Sequence, residues 1–191
     1  MKSVIKQVKH YAPDSKLLIV SNPMDSMTYV ALKESEFGEK RVFGMGGVVD
    51  SNRFRYFLSL EFNVHINNIQ ATVVGQHGEI MVPLASSVKI KGIENPESER
   101  IARAIERTKD AGREVIALKG ATFYAPAHAA SVQARIFMND EKALIPSSVY
   151  LEGEEVCIGM PIVLGKNGVE EVRKMDMTEE EKAIFKKAAT T

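Results

Sequence analysis

Two textures predict the fold class of this chain: a small α/β unit up to about residue 44, then an α+β unit with antiparallel strands. The first texture is the short run Leu17 to Val20, apolar throughout, as in a parallel strand covered on both faces. Asn22-Pro23 follows at once and a helical pattern continues from it, giving strand, tight turn and helix. The second texture is a set of short strand-like runs separated by glycine turns, most clearly at Lys166-Asn167-Gly168. A length of 191 residues suits one domain, or one domain with part of another.

The elements follow from spacing. Val4, Ile5, Val8 and Tyr11 recur at helical intervals, and Pro13-Asp14 ends that helix. Met24, Met27, Val30 and Leu32 mark the next, and Val42-Phe43 is a second short strand running into a loop, Gly44-Met45-Gly46-Gly47. A helix is expected from Ser51 to Phe62, with Phe54, Phe57, Leu58 and Phe62 on one side. Strands at Gln70 to Val74 and Glu79 to Val82 flank a glycine turn around His77, and Val88 to Ile90 is a further strand. Glu97 to Leu118 reads as a long helix bent or interrupted at Gly112, and Pro126 to Phe137 as a small-residue helix. Strands at 143–150, 155–158 and 161–164 precede the hairpin into Val169 to Val172. Thr178-Glu179-Glu180-Glu181 is a capping box that opens a terminal helix with a solvated charged face.

Composition removes several function classes. Lys and Arg together equal Asp and Glu, so the formal net charge of zero offers no footprint for nucleic acid. No stretch of 18 apolar residues is present to span a membrane, and Met1 to Lys6 lacks the apolar core of a secretory signal. A lone cysteine, Cys157, excludes an intrachain disulfide and suits a reducing, cytoplasmic compartment; its apolar surroundings point to an inert thiol.

Three residues carry the chemistry. His77 lies between Gly75 and Gly78, where backbone and ligand can approach closely, and its imidazole suits proton transfer near neutral pH. Asp50 and Arg53 share a helix face at i and i+3, so the guanidinium fork can meet a substrate carboxylate beside the acid. Each has a plainer reading: a turn histidine, a capping acid and a solvated arginine. Asn22 stands where the apolar strand ends, the edge at which open α/β sheets bind ligands; taken alone, before Pro23, it reads first as a natural helix cap. Arg55 reads as solvated, His10 and His65 as polar-surface residues, and His128 as a packing residue. No metal is expected, because His77 and Glu79 lack the company of a zinc site. Gly44-Met45-Gly46 is not a dinucleotide fingerprint, since Val49 occupies the place of its third glycine.

Three segments taken together resemble the lactate/malate dehydrogenase family. They are Val20-Ser21-Asn22-Pro23-Met24-Asp25, the run from Gly44 through Asp50 and Arg53 to Arg55, and Gly75-Gln76-His77-Gly78-Glu79 through Leu84. Gly120 to Ala127 resembles a fourth, a pocket-lining turn, and the likeness is closest to the lactate-dehydrogenase-like malate enzymes. The resemblance implies NAD as cofactor and malate/oxaloacetate as substrate, with His77 taking the hydroxyl proton and Asp50 holding its imidazole. It further implies that Arg53 clamps the substrate carboxylate, Asn22 touches substrate and nicotinamide ribose, Thr122 lines the pocket, and Val20 and Ser21 line the nicotinamide end. A homo-oligomer, dimer or tetramer, is implied as well. Glu79 departs from the family's usual aspartate and keeps the charge.

On this resemblance residues 1–44 are expected to be the C-terminal remnant of a Rossmann, NAD-binding domain, and 45–191 the catalytic domain. The glycine-rich phosphate turn, the acid that reads the adenine ribose and the loop arginine are not found in the chain, so it is expected to bind NAD weakly and to be inactive alone. Such a remnant would expose a sheet edge and an apolar helix face. The alternatives are a non-catalytic oligomerisation module derived from the dehydrogenase, or lactate specificity. A different enzyme using His77 and Asp50 without NAD finds no support in the residues.

Overall fold

The computed structural model describes residues 1–190. Helix α1 (Lys2–Tyr11) packs Ile5 inward and leaves Val4 and Tyr11 exposed, the expected apolar face. Strand β1 (Leu17–Ile19) runs parallel to β2 (Val42–Gly44), joined by α2 (Met24–Ser35). The expected strand–turn–helix is present, and β1 is an edge strand of the sheet. Beyond residue 44 the strands pair antiparallel. The main sheet has the order β1, β2, β7 (Ala143–Leu151), β8 (Val156–Gly165), β4 (Val73–Gly75), β5 (Met81–Pro83), with β9 (Gly168–Val172) on β8. Its centre is the hairpin of β7 and β8, in register from Ala143↔Leu164 to Leu151↔Val156. Strand β4 hangs on β8 and pairs with β5, so the loop carrying His77 caps a two-stranded ribbon. Strand β3 (Ile69–Gln70) with β6 (Lys89–Ile90) forms a separate pair.

Helix α3 begins at Gly46 and ends at Phe62, five residues before the expected start, so Asp50 and Ser51 lie inside it and cap nothing. Its buried Phe54, Phe57, Leu58 and Phe62 pack against Ile101, Ala104 and Ala111 of α4 (Ser98–Lys119). Each such side chain contributes roughly 1.5–3 kcal/mol by burial. Helix α4 runs unbroken through Gly112, because its packed face on α3 offsets the glycine's weak helix preference. Strand β8 is also continuous where two strands were expected: Pro161 sits opposite Pro146, and its carbonyl accepts from Arg173 N–H at 2.8 Å.

Helix α5 is Tyr124–Met138 and α6 is Glu179–Thr190. The capping box forms reciprocally, with Glu181 N–H to Thr178 Oγ1 at 3.2 Å and Thr178 N–H to Glu181 Oε2 at 2.9 Å. Glu181 is buried and also accepts from Ser86 N–H and Oγ–H, which fastens α6 to the segment after β5. Among the described residues no helix is long and apolar enough to cross a membrane.

Candidate active site

Asp50 lies one turn into α3 and is 2% exposed. Its Oδ2 is 2.6 Å from His77 Nδ1, and its Oδ1 accepts from Arg53 Nη1 at 3.3 Å. An ionised carboxylate only accepts, so Nδ1 carries the proton and Nε2 of the neutral ring is left as a base. Among the described residues Nε2 has no protein partner. His77 and Arg53 both line an open cavity of about 680 Å³, together with Asn22, Glu79 and Thr122. Four of the predicted site residues therefore meet at one cavity, with Asp50 directly behind the imidazole. Val20 and Ser21 are exposed between β1 and α2 and do not line it. Helix α2 starts at Met24 with no side-chain cap, so the capping reading of Asn22 fails; the Asn22-Pro23 bond is cis.

Burial of His77 favours its neutral form. Its hydrogen bond to Asp50 and the charges of Asp50 and Asp25 outweigh that effect, while Arg53 opposes them, and the pKa ends above the ordinary histidine value. The imidazole is thus a stronger base than a free one. Cys157 contrasts with it: burial first, then the Asp25 charge, pushes the thiol up to about 12, which makes it the inert thiol expected.

The turn reaches Asp50 through two glycines. Gly75 has φ 84°, which an L side chain resists, and it turns the chain out of β4. Gly46 lies against the imidazole: a Cβ there would stand 2.6 Å from His77 Cγ. The segment expected to be a loop is therefore the start of α3, made of glycine where the ring passes.

Sequence reasoning missed other participants. Lys109 and Arg113 of α4 line the same cavity and add positive charge; their four-residue spacing was the available signal. Asp25 accepts from His77 N–H at 2.7 Å. Arg55 is not solvated: it donates to the carbonyls of Ile69 at 3.0 Å and Ile66 at 3.1 Å. His128, expected to be packed, is exposed, as are His10 and His65.

Comparison with known proteins agrees with this architecture. Residues 48–191 match the lactate/malate dehydrogenase alpha/beta C-terminal domain, and residues 1–44 match the lactate/malate dehydrogenase NAD binding domain. The malate dehydrogenase of Methanothermobacter marburgensis is 41% identical over 97% of this chain, which spans 62% of that relative's length. The malate dehydrogenase structure from Salinibacter ruber is 40% identical with a TM-score of 0.93, covering 98% of this chain and 64% of that one. The lactate dehydrogenase structure from Cryptosporidium parvum is 33% identical with a TM-score of 0.92, covering 98% and 67%. The parallel unit leading into an antiparallel sheet, the site at their junction and these matches lead to one assignment: the chain belongs to the lactate/malate dehydrogenase family.

Proposed function

We propose that this chain supplies the proton-transfer and carboxylate-binding part of an NAD-dependent malate dehydrogenase interconverting L-malate and oxaloacetate. The observation that carries the reading is the convergence of His77, Asp50 and Arg53 on one open cavity. Asp50 fixes the imidazole so that Nε2 faces substrate and takes the hydroxyl proton during oxidation. The resulting imidazolium stays paired with Asp50, and in the reverse direction Nε2–H returns the proton to the carbonyl oxygen. Arg53 uses one guanidinium nitrogen on Asp50, and the remaining donors hold the substrate's C1 carboxylate. Asn22 and Thr122, which line the same cavity, orient the substrate.

The nicotinamide end of NAD suits Val20, Ser21 and Asn22, exposed at the C-terminal end of a parallel strand beside the cavity. When bound, NAD supplies the hydride acceptor. Pyrophosphate binding uses backbone donors at a glycine-rich helix start, and the 191 residues contain no Gly-x-Gly-x-x-Gly run. The isolated chain therefore binds NAD weakly and does not turn over. The change from cofactor-binding to catalytic part falls at residues 44–45.

Oxaloacetate titrated into the isotope-labelled chain is expected to shift the His77 ring and Arg53 guanidinium signals, and Arg53→Ala to abolish the response. Silence of both signals in the unaltered chain overturns the reading; stronger binding of pyruvate moves it to lactate specificity. Normal turnover by the pure chain in an NADH-linked assay overturns the proposed inactivity. The reading includes a cytoplasmic location, on the single unpaired Cys157, and a homo-oligomer, dimer or tetramer. Tyr56, Leu60, Ile116, Leu118 and Tyr124, exposed apolar residues of α3, α4 and α5, support self-association, which size-exclusion chromatography tests.

A further inference from the structure

A second acid stands beneath the His77 loop. Asp25, at the start of α2, is 8% exposed and uses both oxygens as acceptors. Oδ2 takes His77 N–H at 2.7 Å, and Oδ1 takes the Ser148 hydroxyl at 2.6 Å. Ser148 belongs to the central hairpin: it pairs with Gly44 of β2 on one side and Gly159 of β8 on the other. Gly159 in turn pairs with Gly75, at the root of the His77 turn. One carboxylate thus ties α2, the middle of the sheet and the loop that carries the imidazole.

A buried carboxylate is costly unless its charge is compensated. Among the described residues no lysine or arginine is paired with Asp25. Burial is the largest effect and leaves its pKa above the ordinary aspartate value; the bonds from Ser148 and His77 N–H and the charge of His77 oppose the rise, and the charge of Asp50 adds to it. A neutral side chain would satisfy the loop N–H without that burial cost. The ionisable group at this place is therefore more than a loop anchor.

We propose that Asp25 is a positioning residue for His77: held by Ser148, it fixes the backbone from which the ring reaches Asp50 and sets a second buried negative charge beside the imidazole. This rests on the reading of His77 as the proton-carrying group. The other charged groups around the imidazole are Asp50 and Arg53 of α3, Glu79 of its own loop, and Lys109 and Arg113 of α4 across the cavity. Asp25 does not line the cavity shared by His77 and Arg53, and it holds the histidine through its main-chain N–H.

Imidazole NMR titration and amide hydrogen exchange on the 191-residue chain test this, with the remaining histidines as internal references. Asp25→Asn keeps an acceptor for the loop, so the His77 amide stays protected while the His77 titration midpoint moves down. Ser148→Ala moves it in the same direction by less, and Asp25→Ala also loses protection of the His77 amide. An unmoved midpoint in folded Asp25→Asn overturns the proposal, as does a protected amide in Asp25→Ala. Loss of folding in all three variants overturns it too, by making the pair purely structural. Neither measurement uses substrate or NAD, so failure of oxaloacetate to bind the unaltered chain would sink the dehydrogenase reading alone.

Discussion

Helix α3 carries two acids that each face several cations, and the fold treats them in opposite ways. Asp50, near its start, has a side chain 3% exposed, against His77 at 19% and Arg53 at 18%. Glu61, in its last turn, has a side chain 15% exposed and meets Arg103 at 3.0 Å and Arg107 at 3.9 Å, side chains that are 53% and 49% exposed. The charge types are the same, but the surroundings differ. Water screens the Glu61 cluster through its half-exposed arginines, whereas Asp50 acts through low-dielectric surroundings on two largely buried partners. An acid between cations becomes a tuning element only when neighbours keep both it and its partners dry and fixed. Substitutions on either side of this comparison should differ in size and in their response to pH.

The largest effect is expected from Gly46→Ala, which touches no charge. The new methyl would meet the His77 ring at under 3 Å, so either the ring leaves Asp50 or the start of α3 shifts. Overpacking of this kind costs about 2–3 kcal/mol, to be read from urea unfolding. The His77 titration midpoint should fall in the same variant, because the contact with Asp50 is lost. An unchanged midpoint with unchanged stability would mean that the approach of ring to helix has slack, and the buried side of the comparison would weaken.

Asp50→Asn is expected next in size and carries a pH signature. The raised His77 pKa means that folding favours the protonated ring. That stabilisation is fully present below the unfolded value near 6.5 and is lost as pH rises through the higher folded value. Asparagine keeps the shape and removes the charge, so the variant should be less stable by about 1–2 kcal/mol between pH 5 and 6. The gap should narrow steadily above that range. A gap that does not change with pH would show that Asp50 only packs and bonds, without acting on the proton.

Much of this side was legible in the sequence. His77, Asp50 and Arg53 could be named because short spacing and motif order put them together: i and i+3 on one helix, and a histidine in a glycine turn. Helices α1 and α2 and the cap of α6 followed from local periodicity and a local pair. What was missed depends on distant partners. Helix α3 looked like a loop at Gly46-Gly47 because glycine is a poor helix former, and the imidazole that calls for Gly46 belongs to His77, far along the chain. Strand β8 looked broken at Pro161 because the partner that tolerates a missing donor there is Pro146. Asp25 gave no local sign of its role, since its two partners are 52 and 123 residues away.

Glu61→Gln should have the smallest effect and sets the lower bound of the comparison. Its ion pairs lie at the surface, where arginine heads are free to rehydrate, and the guanidinium of Arg100 binds the Glu61 backbone carbonyl, which the substitution keeps. Arg100 and Arg107 also lie over the rings of Phe62 and Phe57, so both stay ordered without the carboxylate. Stability should change by no more than about 0.5 kcal/mol, and moderate salt should erase that difference in a urea melt. The His77 midpoint should not move. A loss above that size, insensitive to salt, would place Glu61 with Asp50 as an acid held dry by its neighbours, and the contrast along α3 would then rest on the histidine alone.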